Sequence, residues 1–302
     1  MWSRSRGVVL RGVASRGRRF RSGRPPSSGV LRVAAATSAL VAFAGWSWSR
    51  ATAPTDAPTT TTMATVQDLM RSGQLLEDAG HLTDALHMYR RARTTAEKHY
   101  GPYSYFVAGP AQSVSNAMLG QPSAPTGEIR EAIGLLMRAH DIALRAEDAP
   151  SEEVRLAQLG SICYDLGQAW TSRNDHAQAA VWFDKAIGYL SGCRQSKHRR
   201  VQNANCKASL SASLFYCDRH PEAERAARSA IEDASPDSDA MMTASFNLGM
   251  ILKAKGGANL EAHQLLARAV RVAKRRGVKP NAELIDACDR AIRELDVPEH
   301  SF

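Results

Sequence analysis

From residue 65 onward, apolar residues recur at intervals of three and four, separated by polar positions. Nowhere is there a sustained apolar/polar alternation of the kind a half-buried strand shows, so the pattern predicts helices throughout. In YDLGQAWTSRNDHAQAAVWFDKAI, residues 164–187, the spacing breaks once, at Asn174. It therefore predicts two antiparallel helices joined by a tight turn. Small residues sit where such helices would meet: Gly167 and Ala179 for close approach, with Trp170 and Phe183 filling the space beside them. Ala186 leaves room for a following unit. A pair of this kind cannot bury its apolar face alone, so it needs neighbours.

The neighbours are legible as further copies. Gly73, Gly80, Ala85, Tyr89 and Ala92 carry the first. The second is degenerate, with Ala132, Leu136 and Ala139 on its second helix and its first helix within 103–120, before Pro122 and Pro125. The fourth has Leu210, Leu214, Ala223, Ala227 and Ala230. The fifth has Leu248-Gly249, Leu252, Gly256, Ala262, Leu266 and Ala269. The order L-G-x-x-aromatic, then A-x-x-x-F-x-x-A, resembles the tetratricopeptide repeat (TPR). Anchor alanines 85, 132, 179, 223 and 262 lie 47, 47, 44 and 39 residues apart. That is longer than the usual TPR period of about 34, so long helices or loops are expected. NAELIDACDRAIREL, 281–295, puts Leu284, Ala287, Cys288, Ala291 and Leu295 on one face, as a closing helix should. The expected fold is all-α, a TPR-like right-handed solenoid of about five helix pairs plus a C-terminal capping helix, preceded by a disordered leader. Its expected divisions are a leader at 1–32, a weak hydrophobic segment at 33–48, a Thr/Pro-rich linker at 49–64, repeats over 65–280 and a cap at 281–297.

The formal charge of +9 changes meaning once it is located. Residues 1–50 hold ten arginines and no lysine, aspartate or glutamate; taking these ten from 39 basic side chains leaves 29 against 30 acidic ones. The body is near neutral and carries no net attraction for phosphate backbones, so nucleic acid is not an expected partner. The Arg-rich, Ser-containing, acid-free leader has the composition of a mitochondrial transit peptide, with Val9, Val13 and Phe20 on one helical face. VAAATSALVAFAGWSW, 33–48, is uncharged and ends in two tryptophans. Its length is just short of the roughly 17–25 residues of a span, and it is either a membrane anchor or part of a discarded presequence. If it anchors, the arginine bias places the body in the intermembrane space.

Chemistry is sparse. No GxxxxGK[ST], HExxH, GxSxG or GxGxxG occurs. Cys193, His198, Cys206, Cys217 and His220 are the richest cluster, but their gaps fit no zinc spacing. Five cysteines without a CxxC pair predict reduced thiols. Glu152-Glu153 after Ser151 suit a helix start, and QSKHRR (195–200) and AKRRGVK (273–279) are expected to end or join helices. No enzyme, metal or cofactor is expected. The expected partner is a protein or peptide in the concave surface lined by the first helix of each pair. Tyr164, Gln168, Asn205, Phe246, Asn247 and Lys253 are the positions expected to face it.

Two family resemblances refine this. ALHMYRRARTTAEKHYGPYS, 85–104, resembles the long repeats of kinesin light chains through its A-x-x-x-Y-x-x-A core and EKxxGP loop; that likeness implies a cytosolic adaptor for cargo peptides. CYDLGQAWTSRNDHAQAAVWFDKAIGYLSG, 163–192, and ASFNLGMILKAK, 244–255, resemble the mitochondrial tetratricopeptide repeat protein 19 family, as does the order of leader, hydrophobic segment and repeats. This second likeness implies an inner-membrane factor for respiratory complex III, with complex III subunits as partners and no catalytic residue. Some TPR grooves clamp a chaperone's terminal carboxylate with Lys and Asn. Asn247 before Leu248-Gly249 stands where that motif has Asn, but Asp165, at the matching place before Leu166-Gly167, would repel a carboxylate.

Overall fold

The computed structural model describes residues 57–121, 126–277 and 281–295. They form eleven helices and, among the described residues, no strand. In chain order these are α1 (Ala57–Asp78), α2 (Leu82–Tyr100), α3 (Tyr105–Leu119), α4 (Thr126–Arg145), α5 (Glu152–Ser172), α6 (His176–Ser191), α7 (Lys197–Tyr216), α8 (His220–Asp233), α9 (Asp239–Lys255), α10 (Asn259–Arg276) and α11 (Ala282–Arg293). Consecutive helices pack as pairs, α1–α2 to α9–α10, and each pair packs on the next. The TPR-like stack of five pairs and a cap is thus the observed architecture. The leader and the 33–48 segment lie outside the described residues. The expected linker at 49–64 does not hold over its last part, because α1 already begins at Ala57.

Each pair closes around a small residue. A Cβ on Gly73 would stand 2.5 Å from Tyr89, one on Gly167 2.5 Å from Phe183, and one on Gly249 2.8 Å from Leu266. The same relation recurs in three pairs: a missing side chain on the first helix admits a large one four residues past the anchor alanine on the second. Anchor alanines 85, 132, 179, 223 and 262 are all fully buried. In the second and fourth pairs, serines stand at fully buried positions of the first helix. Ser115 and Ser211 fold their hydroxyls back to donate to the carbonyls of Ala111 (3.1 Å) and Ala208 (2.8 Å) of their own helices.

Helix starts follow a second repeated device. Ser104, Ser151, Ser196 and Ser238 precede α3, α5, α7 and α9, and each accepts a hydrogen bond from a backbone N–H of its helix's first turn. Such a cap is worth about 1 kcal/mol. Glu152 and Glu153 add charge of the favourable sign at α5. Lys274, Arg275 and Arg276 close α10 as expected. QSKHRR joins α6 to α7 rather than ending a helix: Lys197–Arg200 open α7, where the Ser196 cap offsets an unfavourable dipole interaction. The cap helix α11 lays Leu284, Ile285 and Cys288 into a cluster with Phe246, Leu266 and Ala273 of the last pair.

Candidate functional site

The residues before Leu166-Gly167 and Leu248-Gly249 turn out to share a structural task. In α5 this residue is Asp165, whose Oδ2 accepts from Gln112 Nε2 (2.5 Å) and Asn116 Nδ2 (2.8 Å) of α3. Gln112 also donates to Ser161 Oγ (2.8 Å), and its Oε1 accepts from Gln158 Nε2 (2.5 Å). In α9 the residue is Asn247, which donates from Nδ2 to the Ala208 carbonyl and to Ser211 Oγ of α7, both at 2.9 Å. At one repeat position, then, a first helix reaches back to the first helix before it. Asp165 does so as an acceptor of side-chain amides, and Asn247 as a donor to a carbonyl and a hydroxyl. Gln112, Asn116 and Gln158 were not among the residues expected from the sequence. Their signal was the polar residue in D-L-G and N-L-G, which needs a partner once the helices stack.

This corrects part of the expected surface. Asn247 is buried and its amide is spent on α7. Phe246 is buried against Leu284, Ile285 and Cys288, because α11 covers it. Lys253 donates to Glu294 Oε2 at the end of α11. Phe246 and Lys253 thus hold the last pair to the cap, and Asn247 holds it to the pair before. Tyr164, Gln168 and Asn205 remain half-buried on α5 and α7. Gln168 Nε2 donates to Tyr164 Oη (2.9 Å), which sets the two as a unit, and the Tyr164 ring stands 5.6 Å from that of Phe183.

Electrostatics distinguish the N-terminal half of this side. The α3 helix carries no charged residue. Burial pushes the Asp165 carboxyl up to about 6, against the opposing hydrogen bonds from Gln112 and Asn116, with the Glu77 charge adding to the rise. Burial likewise raises Glu77, whose Oε2 accepts from Tyr89 Oη at 2.8 Å. A ligand group seated here meets negative charge and amide dipoles, so a cation or a hydrogen-bond donor fits and a carboxylate does not.

The Cys/His residues are not brought together. Cys193 and Cys206 are buried and Cys217 half-buried, all three as free thiols. Burial raises the pKa of Cys206 and, more modestly, of Cys193. The His220 ring packs 5.2 Å from Phe215. Among the described residues no group of three or more His, Cys, Asp or Glu is arranged to hold a metal ion. Among them, too, no helix is long and apolar enough to cross a membrane. Met241 and Met242 are buried in the core.

Comparison with known proteins places the architecture. No family model matches the chain. It is similar to a crystal structure of a Podosopora anserina putative kinesin light chain with nearly identical TPR-like repeats, at 15% identity and a TM-score of 0.53, over 70% of this chain and 97% of that one. A single-substitution form of that protein matches at 14% identity and a TM-score of 0.54, covering 70% and 95%. BtubC (BKLC) from P. vanneervenii matches at 16% identity and a TM-score of 0.53, covering 72% and 91%. At these identities what is shared is the fold: the chain is built as a stack of TPR-like helix pairs.

Proposed function

We propose that this protein is a non-enzymatic scaffold that holds a segment of another protein against the first helices of its stack. One observation carries the reading. The first-helix side is closed by internal contacts at α9, yet at α5 and α7 it leaves Tyr164, Gln168 and Asn205 half-exposed beside the desolvated carboxylate of Asp165. An aromatic ring, two amides and a carboxylate suit an extended peptide that presents backbone groups and a cationic or donating side chain. Asp165 argues against a terminal carboxylate as the anchor.

The composition of residues 1–32 supports a mitochondrial location, and the weak hydrophobic segment at 33–48 supports contact with the inner membrane. The likeness of residues 163–192 to the mitochondrial tetratricopeptide repeat protein 19 family supports a role in respiratory complex III assembly or maintenance, with complex III subunits as partners. The alternative, a cytosolic adaptor of kinesin-light-chain type binding cargo peptides, draws on the loop at 85–104.

A fluorescent fusion carrying residues 1–62 separates the two: mitochondrial signal is expected, and a cytosolic one would remove the first reading. Co-purification from mitochondria then addresses the partner. Complex III subunits should be recovered with the native chain and lost at least fivefold with Tyr164→Ala/Asn205→Arg. Equal recovery by both forms would sink the proposed surface.

A further inference from the structure

The outward side of the stack, made by the second helices, plays no part in the peptide-binding surface. Repeat register puts Arg91 of α2, Arg138 of α4 and Lys185 of α6 at one position, six residues past their anchor alanines. All three are exposed. Lys98 and Arg145 repeat the relation thirteen residues past the anchors, again exposed, and Arg90 stands beside Arg91. Arg138 lies 3.5 Å from Glu97, Arg145 2.9 Å from Asp141, and Lys185 4.1 Å over the Trp182 ring. Among the described residues Arg90, Arg91 and Lys98 make no ion pair. The acids of these three helices are Asp84, Glu97, Glu128, Glu131, Asp141 and Asp184, of which Glu97 and Asp141 are taken up by Arg138 and Arg145.

Apolar side chains stand between these cations. Tyr103, Met137, Leu144 and Val181 are 78, 43, 44 and 48% exposed, four of the six large hydrophobics exposed among the described residues. Gly134 lies one turn before Met137, and Gly188 two turns after Val181. A Cβ on either would meet nothing within 4 Å, so internal packing does not explain a glycine there. Mid-helix glycine is unfavourable, and here it leaves the outer surface low beside the exposed apolar groups.

We infer that the outward side of α2, α4 and α6 docks on an anionic lipid surface. The cations are exposed side chains of three successive second helices, so they spread over a face rather than along one helix. Exposed apolar side chains interleave with them. A lipid interface takes both kinds of group at once, the cations at its phosphates and the apolar groups at the acyl boundary. The inference is independent of the peptide-binding surface and of the fate of the leader.

Lysine acetylation footprinting of the full chain tests it, since the first lysine of the sequence is Lys98 and the reagent therefore reads only the body. Vesicles of phosphatidylglycerol and phosphatidylcholine carry no competing amine. The anionic vesicles should slow acetylation of Lys98 and Lys185 at least threefold and leave Lys274 unchanged, while pure phosphatidylcholine changes none. Unchanged rates at Lys98 and Lys185 overturn the inference. So does protection by soluble polyglutamate but not by vesicles, which would assign the face to an acidic protein. In a parallel binding assay, Arg90→Glu/Arg91→Glu should weaken anionic-vesicle binding at least tenfold. The control Arg225→Glu/Arg271→Glu, on exposed positions of α8 and α10, should not. Equal loss in both reduces the effect to net charge and also overturns it.

Discussion

A methyl group placed on Gly167 would sit 2.5 Å from Cε1 of Phe183. The third helix pair therefore closes only because one residue has no side chain and the other has a large one.

That contact predicts a coupled pair of mutants. Gly167→Ala should destabilise the protein by about 1–3 kcal/mol through overpacking, since the methyl meets a buried ring that can move only into its neighbours. Phe183→Leu alone should also destabilise, by loss of buried volume. The double mutant should be more stable than the sum of the two losses predicts, because the smaller side chain makes room for the methyl. Denaturant melts of the four proteins check this, and strict additivity would mean that the two helices can separate freely.

The rungs between first helices predict how each place responds to charge. The folded protein holds Asp165 with its pKa raised to about 6, from an ordinary value of 3.8. The fold thus favours the protonated form. The group's stabilising contribution is complete below about pH 4 and is lost as the pH rises through 6. Thermal melts of the native protein and Asp165→Asn should diverge across that window, the native form losing on the order of 2–3 kcal/mol relative to the variant. A flat difference would remove the desolvated carboxylate from the account.

Asn247 gives the reverse substitution. Asn247→Asp would set a carboxylate against the Ala208 carbonyl oxygen, where an amide now donates at 2.9 Å. It should cost at least about 1–3 kcal/mol at neutral pH and less in acid, where the carboxyl can donate. Melting curves at pH 4 and 7 measure both.

Thiol chemistry reports the packing directly. Burial pushes Cys163 and Cys288 each up to about 12, and both are buried, as is Cys206. Alkylation of the native protein followed by mass spectrometry should modify half-buried Cys217 first and leave these three unmodified until denaturant is added. Early labelling of Cys206 would contradict the packing of α7 against its neighbours.

Small residues at fixed spacing made the helix pairs legible, because close approach leaves a mark that survives in the chain itself: Gly73, Gly167 and Gly249 with their anchor alanines. Of the capping serines at 104, 151, 196 and 238, only Ser151 was read as a helix start, from the two glutamates after it. The boundary of α1 was less legible. A Thr/Pro/Ala run reads as linker by propensity, yet the helix begins at Ala57.

The candidate surface was legible only in part. Position along a first helix placed Tyr164, Gln168, Asn205 and Lys253 at half-buried positions, the last paired with Glu294, but the same rule placed Phe246 and Asn247 there, and these are buried. The rule counts turns within one helix, and the error came from how close the next helix stands.

The chain's own periodicity determined that this protein is a stack of helix pairs, since burying an amphipathic face depends on residues three and four apart. Only tertiary structure decided which polar groups meet a partner and which meet solvent. Asp165 and Asn247 occupy the same place in their repeats, but the fate of each depends on residues 36 to 53 positions away that only stacking brings within hydrogen-bonding distance.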